Sequence, residues 1–266
     1  MAAYITQPGG VSPVEIKGKA AVIVGGASGM ARATADQLAA KGARVAILDR
    51  PQSAGAEVAE ALGGTFHPCD VMDAEGTEAA IDAAVEALGG SLHVSVNTAG
   101  GGAAKRTLTR EGPHPLDEFR RVIELNLIGS FNVARLAAAH MARNEPEDEE
   151  RGVIISTASI AAFEGQIGQV AYTAAKAGIA GMALTMARDL GSLGIRVLVI
   201  APSLFSTGLT KGIPDEYADT LTKDAAFPKR MGRPEEYGRL AVAIVENPML
   251  NGSCIRLDAG QRFAPK

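Results

Sequence analysis

The segment Lys19-Ala-Ala-Val-Ile-Val24-Gly25-Gly-Ala-Ser-Gly29-Met-Ala31 decides the fold. Its first six residues form a short apolar run of the kind that makes a buried strand. The glycines that follow suit a place where the backbone turns sharply without a Cβ atom. A helix is predicted over 31–41, with Gly42 at its end. Strand, glycine turn and helix together predict the first half of a βαβ unit, whose helix N-terminus binds a pyrophosphate.

An acidic residue follows this turn at an informative distance. The apolar segment 44–49 is a second predicted strand, and it ends at Asp49. A carboxylate placed about twenty residues after the glycine turn accepts hydrogen bonds from ribose hydroxyls and repels a 2′-phosphate. A glycine turn alone occurs in many folds, but the acid makes NAD the favoured ligand. Arg50 is the neighbour that would weaken a preference for NAD over NADP.

Short apolar strands and helices continue to alternate along the chain. This alternation predicts an α/β fold, a doubly wound Rossmann domain with a seven-stranded parallel sheet flanked by helices on both faces. With 266 residues, no repeat and no linker, we expect one domain over 1–266, with a mobile substrate lid at 203–232. The remaining strands are predicted at 64–71, 92–97, 152–159, 195–200 and 253–257. The remaining helices are predicted at 54–62, 74–88, 116–143 and 234–246, with one more that begins in the block around Tyr172 and ends near 190.

Composition narrows the classes of function. A net charge of -4 argues against a general nucleic-acid or membrane surface, and we expect no apolar run long enough to span a bilayer. The first ten residues lack the apolar core of a signal peptide. Cys69 and Cys254 have neither a metal-ligand nor a redox spacing, so we expect a cytoplasmic protein without a metal site, with both as core residues. The acidic stretch 144–151 is expected to be a solvated loop.

A second block, Ser159 to Lys176, carries groups suited to proton transfer. Tyr172 and Lys176 are four positions apart in a helix-forming run, so both side chains lie on one face, one turn apart. An ammonium so placed favours the phenolate, which lowers a tyrosine pKa that is ordinarily about 10. Ser159 ends an apolar strand, where its hydroxyl can meet an oxygen that Tyr172 also holds. Alone, the pattern equally fits an ordinary tyrosine and an exposed lysine; with a dinucleotide site it favours redox at a carbonyl.

Together these residues resemble the short-chain dehydrogenase/reductase family over essentially the whole chain, and within it the type 2, short-chain 3-hydroxyacyl-CoA dehydrogenase subfamily. The resemblance to the subfamily is carried by four stretches. They are Val-Gly-Gly-Ala-Ser-Gly at 24–29, Asn-Glu-Pro at 144–146, Thr-Ala-Ser-Ile-Ala-Ala-Phe-Glu-Gly-Gln-Ile-Gly-Gln at 157–169 and Ile-Arg-Leu-Asp at 255–258. Three positions depart from the family pattern, since Val24, Ala31 and Ser203 stand where the family has threonine, glycine and glycine.

The resemblance implies a set of site residues. The catalytic tetrad would be Asn126, Ser159, Tyr172 and Lys176, although an Asn on a buried helix also fits a purely structural role. The implied cofactor contacts come from the phosphate turn, two acidic strand ends, the turn after the fourth strand, the tetrad and the strand before the lid. They are Gly25, Ser28, Gly29, Met30, Asp49, Asp70, Val71, Asn97, Ala99, Gly100, Tyr172, Lys176, Pro202 and Thr207.

The resemblance also implies a reaction, reversible hydride transfer between NAD and a secondary alcohol or ketone. We expect a short 3-hydroxyacyl-CoA as the substrate, a role in fatty acid metabolism, and a homotetramer. A hydroxysteroid or another small alcohol is the alternative substrate, and a Rossmann scaffold without catalysis is the alternative class. Cations near the cleft would bind the CoA phosphates and apolar side chains the acyl chain, although the same charges fit solvated loops. The candidates are Lys105, Arg106, Arg110, Lys211, Lys223, Phe205 and Leu209.

Overall fold

Seven parallel strands form the main sheet of the computed structural model, which describes residues 14–102, 104–208 and 220–265. A two-stranded hairpin, β5 (Leu108–Thr109) with β6 (Gly112–Pro113), lies outside the main sheet and was not predicted. The main strands are β1 (Ala20–Val24), β2 (Arg44–Asp49), β3 (Thr65–Pro68), β4 (Val94–Asn97), β7 (Gly152–Thr157), β8 (Ile195–Pro202) and β9 (Cys254–Leu257). They lie in the order β3-β2-β1-β4-β7-β8-β9.

Helices cover both faces of this sheet. They are α1 (Gly29–Ala40), α2 (Gly55–Ala61), α3 (Ala74–Ala87), α4 (Leu116–Ile123), α5 (Gly129–Met141), α6 (Val170–Leu190) and α7 (Pro234–Glu246).

Successive strand residues point to opposite faces of the sheet and enter two separate cores. Ile23 joins Leu38 and Tyr237 in the core beneath α1 and α7. Its neighbour Val22 joins Ile81 in the core beneath α3 and α5. The predicted doubly wound sheet is therefore confirmed, and its carboxyl-terminal edge collects the strand ends where ligands bind in such folds.

The predicted long helix over 116–143 is present but irregular. It widens into a π-helical turn at Glu124–Ile128 and ends at Met141. Asn126 lies in that turn, fully buried, and its amide donates to the carbonyls of Val122 at 2.9 Å and Gly101 at 2.7 Å. A side chain that enters the hydrogen-bond ladder is a recognised cause of such a bulge, and bulges of this kind are frequent at functional sites.

The same segment, Leu116–Met141, is long and apolar enough to cross a membrane by length and composition alone, with a mean hydropathy of 1.3. The prediction that no apolar run reaches that length was therefore wrong. Half of the apolar window is buried inside the fold, and α5 contributes Val133 and Met141 to the core beneath α3 and α5. Core helices pass the same test, so this is weak evidence for a membrane span.

The acidic stretch 144–151 is exposed over residues 145–149, as expected of a solvated loop, but two of its carboxylates also form ion pairs. Glu147 lies 2.7 Å from the ammonium of Lys19, and Glu150 lies 2.8 Å from the guanidinium of Arg196. Arg196 is itself buried and also donates to carbonyls at the end of α7. Two carboxylates of the stretch therefore fasten it to the amino-terminal edge of the sheet, opposite the site.

The predicted lid is described only at its two flanks, because 209–219 lie outside the described residues, and with them Lys211 and Leu209. Ser206 donates its N–H to Gly232 and Gly232 donates to Leu204, both at 2.8 Å. This bridge joins the two flanks at their base. β8 also runs further than predicted, through Pro202, because the Ser203 N–H continues the ladder to Leu257.

Candidate active site

The glycine turn after β1 packs against two other segments of the site. Gly25 has φ +80°, and a Cβ atom there would lie 3.0 Å from Thr98 Oγ1. Gly29 has φ +57°, and its Cβ would lie 3.2 Å from Thr207 Cγ2. Only glycine suits both positions. The turn ends at the start of α1, where the Ser28 side chain makes no capping hydrogen bond within the described residues, so the helix N-terminus suits an anion such as a pyrophosphate.

Asp49 is held at the edge of the same cleft. Its carboxylate accepts the N–H of Ala27 at 3.0 Å and that of Arg50 at 2.7 Å. A carboxylate has about four acceptor positions, so it keeps capacity for two ribose hydroxyls. The glycine turn, the start of α1 and Asp49 at the end of β2 therefore together fit a dinucleotide.

The cleft has a volume of about 410 Å³. Most of the predicted cofactor residues line it: Gly25, Ser28, Gly29, Met30, Asp49, Asp70, Val71, Ala99, Gly100 and Thr207. The lining also includes residues that were not among the predicted cofactor contacts: Val24, Cys69, Met72, Thr98, Arg121, Leu125 and Gly208, together with Arg50. Asn97 and Pro202, at the ends of β4 and β8, are buried and do not line the cleft.

Arg121 and Leu125 were missed because their position depends on how α4 and the π-helical turn after it cross the cleft, for which the sequence holds no local signal. Cys69 was predicted to be a core residue, and it is both buried and part of the cleft lining. Burial raises the pKa of its thiol, so it stays protonated and unreactive at neutral pH. Cys254 is half-buried, and burial raises its pKa to about 11.

The turn after β4 is held by side-chain amides. Asn97 Oδ1 accepts the N–H of Ala99 at 2.9 Å. Asn126 bonds to Gly101 with both ends of its amide, accepting at 3.2 Å and donating at 2.7 Å. A Cβ atom on Gly100 would lie 2.6 Å from Asn126 Oδ1 and 3.3 Å from Lys176 Nζ. The cofactor-lining turn therefore packs directly against two of the four predicted catalytic residues.

The other two predicted catalytic residues meet at the start of α6. Ser159 begins a short 3-10 turn, where its hydroxyl accepts the N–H of Ala161 at 3.2 Å, and it also hydrogen-bonds to the Tyr172 phenol. Lys176 Nζ lies 5.5 Å from the centre of the Tyr172 ring and donates to Thr157 O at 2.9 Å. The structure thus brings the predicted tetrad together beside the turn after β4.

Burial governs the ionisation of this pair. It raises the pKa of Tyr172, and the hydrogen bond from Ser159 offsets part of that rise. It lowers the pKa of Lys176 to about 8. The expected lowering of the tyrosine pKa by the lysine is not found, because desolvation of the phenol dominates and the ammonium is directed at Thr157 O. A phenol, a hydroxyl and an ammonium around one point can polarise an oxygen and exchange a proton with it.

The three predicted cations of the loop that follows the turn after β4 lie in three different environments. Lys105 pairs with Glu118 at 2.8 Å. Arg106 is exposed and, with Leu108, Gln166 and Ile167, lines a groove of about 830 Å³ that we call the side groove. Arg110 is exposed in the β5–β6 hairpin and does not line it.

The lid residues that are described offer less to a substrate than predicted. Phe205 was expected to contact an acyl chain, but it is buried in the core beneath α1 and α7, with its ring against Gly232. It is therefore a packing residue. Lys223 is exposed.

Residues 19–218 match the family model of the short chain dehydrogenases. The 3-hydroxyacyl-CoA dehydrogenase type-2 of Bos taurus is 49% identical over 255 residues, which cover 94% of this chain and 97% of the relative. The Homo sapiens protein of that name is 48% identical with the same coverage. A crystal structure of 3-hydroxyacyl-CoA dehydrogenase type-2 from Mycobacterium avium has a TM-score of 0.89 and 42% identity, covering 94% of this chain and 98% of that one.

Proposed function

This chain belongs to the short-chain dehydrogenase family, and we propose that it interconverts a short 3-hydroxyacyl-CoA and its 3-oxoacyl-CoA with NAD as the cofactor. The relatives at 48–49% identity carry the name 3-hydroxyacyl-CoA dehydrogenase type-2. The observation that carries the proposal is the position of the Ser159–Tyr172–Lys176 group against the turn that lines the dinucleotide cleft. A non-catalytic scaffold would have no need of a phenol, a hydroxyl and an ammonium at that point.

The preference for NAD rests on Asp49. Its carboxylate is fixed by two backbone N–H groups at the cleft edge, where a 2′-phosphate would meet a negative charge. Arg50 lines the same cleft and is the cation that would favour that phosphate. We expect kcat/KM to favour NADH clearly over NADPH, and Asp49→Ser to narrow the difference. Equal use of both cofactors by the unmodified protein would overturn this assignment.

The nicotinamide, when bound, supplies or accepts the hydride; the protein handles the proton and the oxygen. Ser159 and Tyr172 hold the substrate oxygen, and in reduction Tyr172 gives that oxygen its proton. Lys176 carries most of its positive charge at neutral pH, since its pKa is about 8, and its Nζ lies 5.5 Å from the centre of the Tyr172 ring. Its charge attracts the phenolate that proton transfer leaves, an attraction that desolvation of the phenol outweighs in the free protein. Asn126 fixes Gly101 and keeps acceptor capacity for a water that passes the proton onward. General acid/base help of this kind is worth about 10²–10⁴-fold.

The side groove is the proposed place for the nucleotide end of the CoA thioester. It runs beside Val170 and Thr173 at the start of α6, next to Tyr172, and Arg106 is the exposed cation on it. Lys105 is already paired with Glu118, so Arg106 is the stronger candidate for a phosphate contact. Binding energy from such a remote contact can raise kcat/KM by holding the reacting carbon in place.

A comparison of two thioesters tests this proposal. We expect acetoacetyl-CoA to be reduced with a much higher kcat/KM than its N-acetylcysteamine analogue, which lacks the nucleotide end. Arg106→Ala should lower kcat/KM for acetoacetyl-CoA alone, whereas Arg110→Ala, the matched control outside the groove, should have little effect. Equal values for the two thioesters would remove the CoA site from the groove. If neither thioester is reduced, a hydroxysteroid or another small alcohol becomes the substrate to test.

We further propose that the protein is a cytoplasmic homotetramer that acts in fatty acid metabolism. Its two cysteines are free thiols, as expected in a reducing compartment. α5 and the turn before it leave Phe131 and Ile128 nearly half exposed, which is typical of an apolar surface covered by another subunit.

A further inference from the structure

Tyr237 is a fully buried tyrosine on α7, on the opposite face of the sheet from α6. Its hydroxyl lies 2.7 Å from Oγ1 of Thr157, which is itself buried at the end of β7. Thr157 Oγ1 donates to the carbonyl of Asn97 at 2.7 Å. Because a threonine hydroxyl has a single proton, the proton in the first contact must come from Tyr237. The hydrogen-bond chain therefore runs from Tyr237 through Thr157 to Asn97.

This hydrogen-bond chain ends at the point where the two central strands, β4 and β7, separate. The β4–β7 ladder reaches Asn97 and Ser156, and beyond it the N–H of Ala158 pairs with Ile200 of β8. β4 meanwhile turns into the cofactor-lining segment 98–100. Among the described residues, the bond from the threonine hydroxyl to Asn97 is thus the last one between β4 and β7, directly before the turn that lines the cleft.

The same threonine also holds the catalytic lysine. Its backbone carbonyl accepts the Lys176 ammonium at 2.9 Å. Lys176 is 3% exposed, so this carbonyl is a fixed partner rather than one that water readily replaces. A shift of Thr157 would therefore move both Lys176, which is bonded to its backbone carbonyl, and the carbonyl of Asn97, which is bonded to its hydroxyl.

We propose that Tyr237 is a positioning residue for the dehydrogenase site: through Thr157 it fixes the cofactor-lining turn and the catalytic lysine. The proposal rests on the proposed function insofar as the cleft binds a nicotinamide cofactor. Tyr237 touches neither ligand nor reacting atoms in this role. It acts because loss of its hydroxyl leaves a buried hydroxyl oxygen with one partner fewer, at the point where two elements of the site meet.

Four single variants and one double variant test this role by NADH fluorescence titration. Tyr237→Phe and Thr157→Val each remove one hydroxyl, Thr157→Ser keeps it, and Ile244→Val removes a buried methyl group from the same helix as Tyr237 without touching the site. We expect the first two to weaken NADH binding about tenfold, with no further loss when they are combined. Thr157→Ser should bind NADH like the unmodified protein. Ile244→Val should lower the Tm and leave NADH affinity unchanged.

Unchanged NADH affinity in Tyr237→Phe and Thr157→Val would overturn the proposal. So would an equal loss in Ile244→Val, because general destabilisation would then explain the effect. NADH binding needs no thioester. Failure of the unmodified protein to reduce acetoacetyl-CoA would therefore reject the proposed substrate, whereas the NADH titrations would still decide the positioning role of Tyr237. Failure of the unmodified protein to bind NADH would reject both.

Discussion

Burial, more than any neighbouring charge, sets the protonation of the two central residues. Lys176 has its pKa lowered to about 8, and Tyr172 has its pKa raised. At pH 7 the free protein therefore presents a neutral phenol beside an ammonium that is mostly protonated. That is the state needed to give a proton to a carbonyl oxygen. The sequence spacing predicted the pairing of these residues, but not how deeply each would be buried.

Replacing Tyr172 with Phe should separate chemistry from binding. The variant keeps the ring and removes the proton donor, so we expect kcat with acetoacetyl-CoA to fall by at least about 10²-fold. NADH affinity, measured by fluorescence titration, should stay close to that of the unmodified protein. Retention of more than about a tenth of the activity would deny Tyr172 the role of general acid.

The lowered pKa of Lys176 predicts an unusual pH dependence of the free energy of unfolding. Its pKa is about 8 in the folded protein against 10.5 as the ordinary value, so the unfolded chain binds more protons between those limits. The free energy of unfolding should therefore rise, not fall, as pH increases through this window. Relative to Lys176→Met, urea titrations should give the unmodified protein a gain of about 2 kcal/mol between pH 7.5 and pH 9.5. A relative loss over that interval would contradict the assigned desolvation.

At the scale of elements, the sequence predicted the strands and helices that follow from the periodicity of apolar residues. Apolar runs bounded by glycines placed every strand of the main sheet, and 234–246 was predicted to the residue as a helix. What it could not predict depends on contacts between distant segments. The π-helical turn contains Asn126, whose side chain bonds to Gly101, 25 positions earlier. Phe205 looked available to a substrate until its ring proved to pack on Gly232.

The turn after β4 gives a sharp test at this scale. Gly100→Ala would place a methyl group 2.6 Å from Asn126 Oδ1 and against Lys176 Nζ, so NADH affinity and Tm should both fall. Gly181→Ala is the matched control, because a Cβ there, in α6, meets nothing within 4 Å. In a helix interior that exchange should stabilise the protein by about 0.5–1 kcal/mol. Equal behaviour of the two variants would show that the turn tolerates displacement.

At the scale of the whole molecule, the sheet assembles a site from residues scattered along most of the chain. Gly25 and Thr207 are far apart in sequence, yet a Cβ on Gly29 of the same turn would touch Thr207. The order of strands explains this, because β1, β4, β7 and β8 are neighbours and end at one edge. The site residues of these strand ends could be named from the sequence. The path of the cleft between them, with Arg121 on its wall, could not.

The apolar surface of α5 leads to a prediction about assembly. Light scattering should give a mass close to four times the 27.3 kDa of one chain. Phe131→Glu would bury a charge in a subunit interface, so it should shift the protein to smaller species while its fold is retained by circular dichroism. A monomeric unmodified protein would contradict the homotetramer.

The central claim is reduction of a 3-oxoacyl-CoA by NADH at the Tyr172 site. Its most direct test is the initial rate of NADH oxidation with acetoacetyl-CoA, measured beside NADPH and beside the Tyr172→Phe variant. The account predicts a kcat/KM on the order of 10⁴ M⁻¹s⁻¹ or higher with NADH, a clearly lower value with NADPH, and near-complete loss in the variant. No oxidation of NADH by acetoacetyl-CoA, in a protein that does bind NADH, would contradict it.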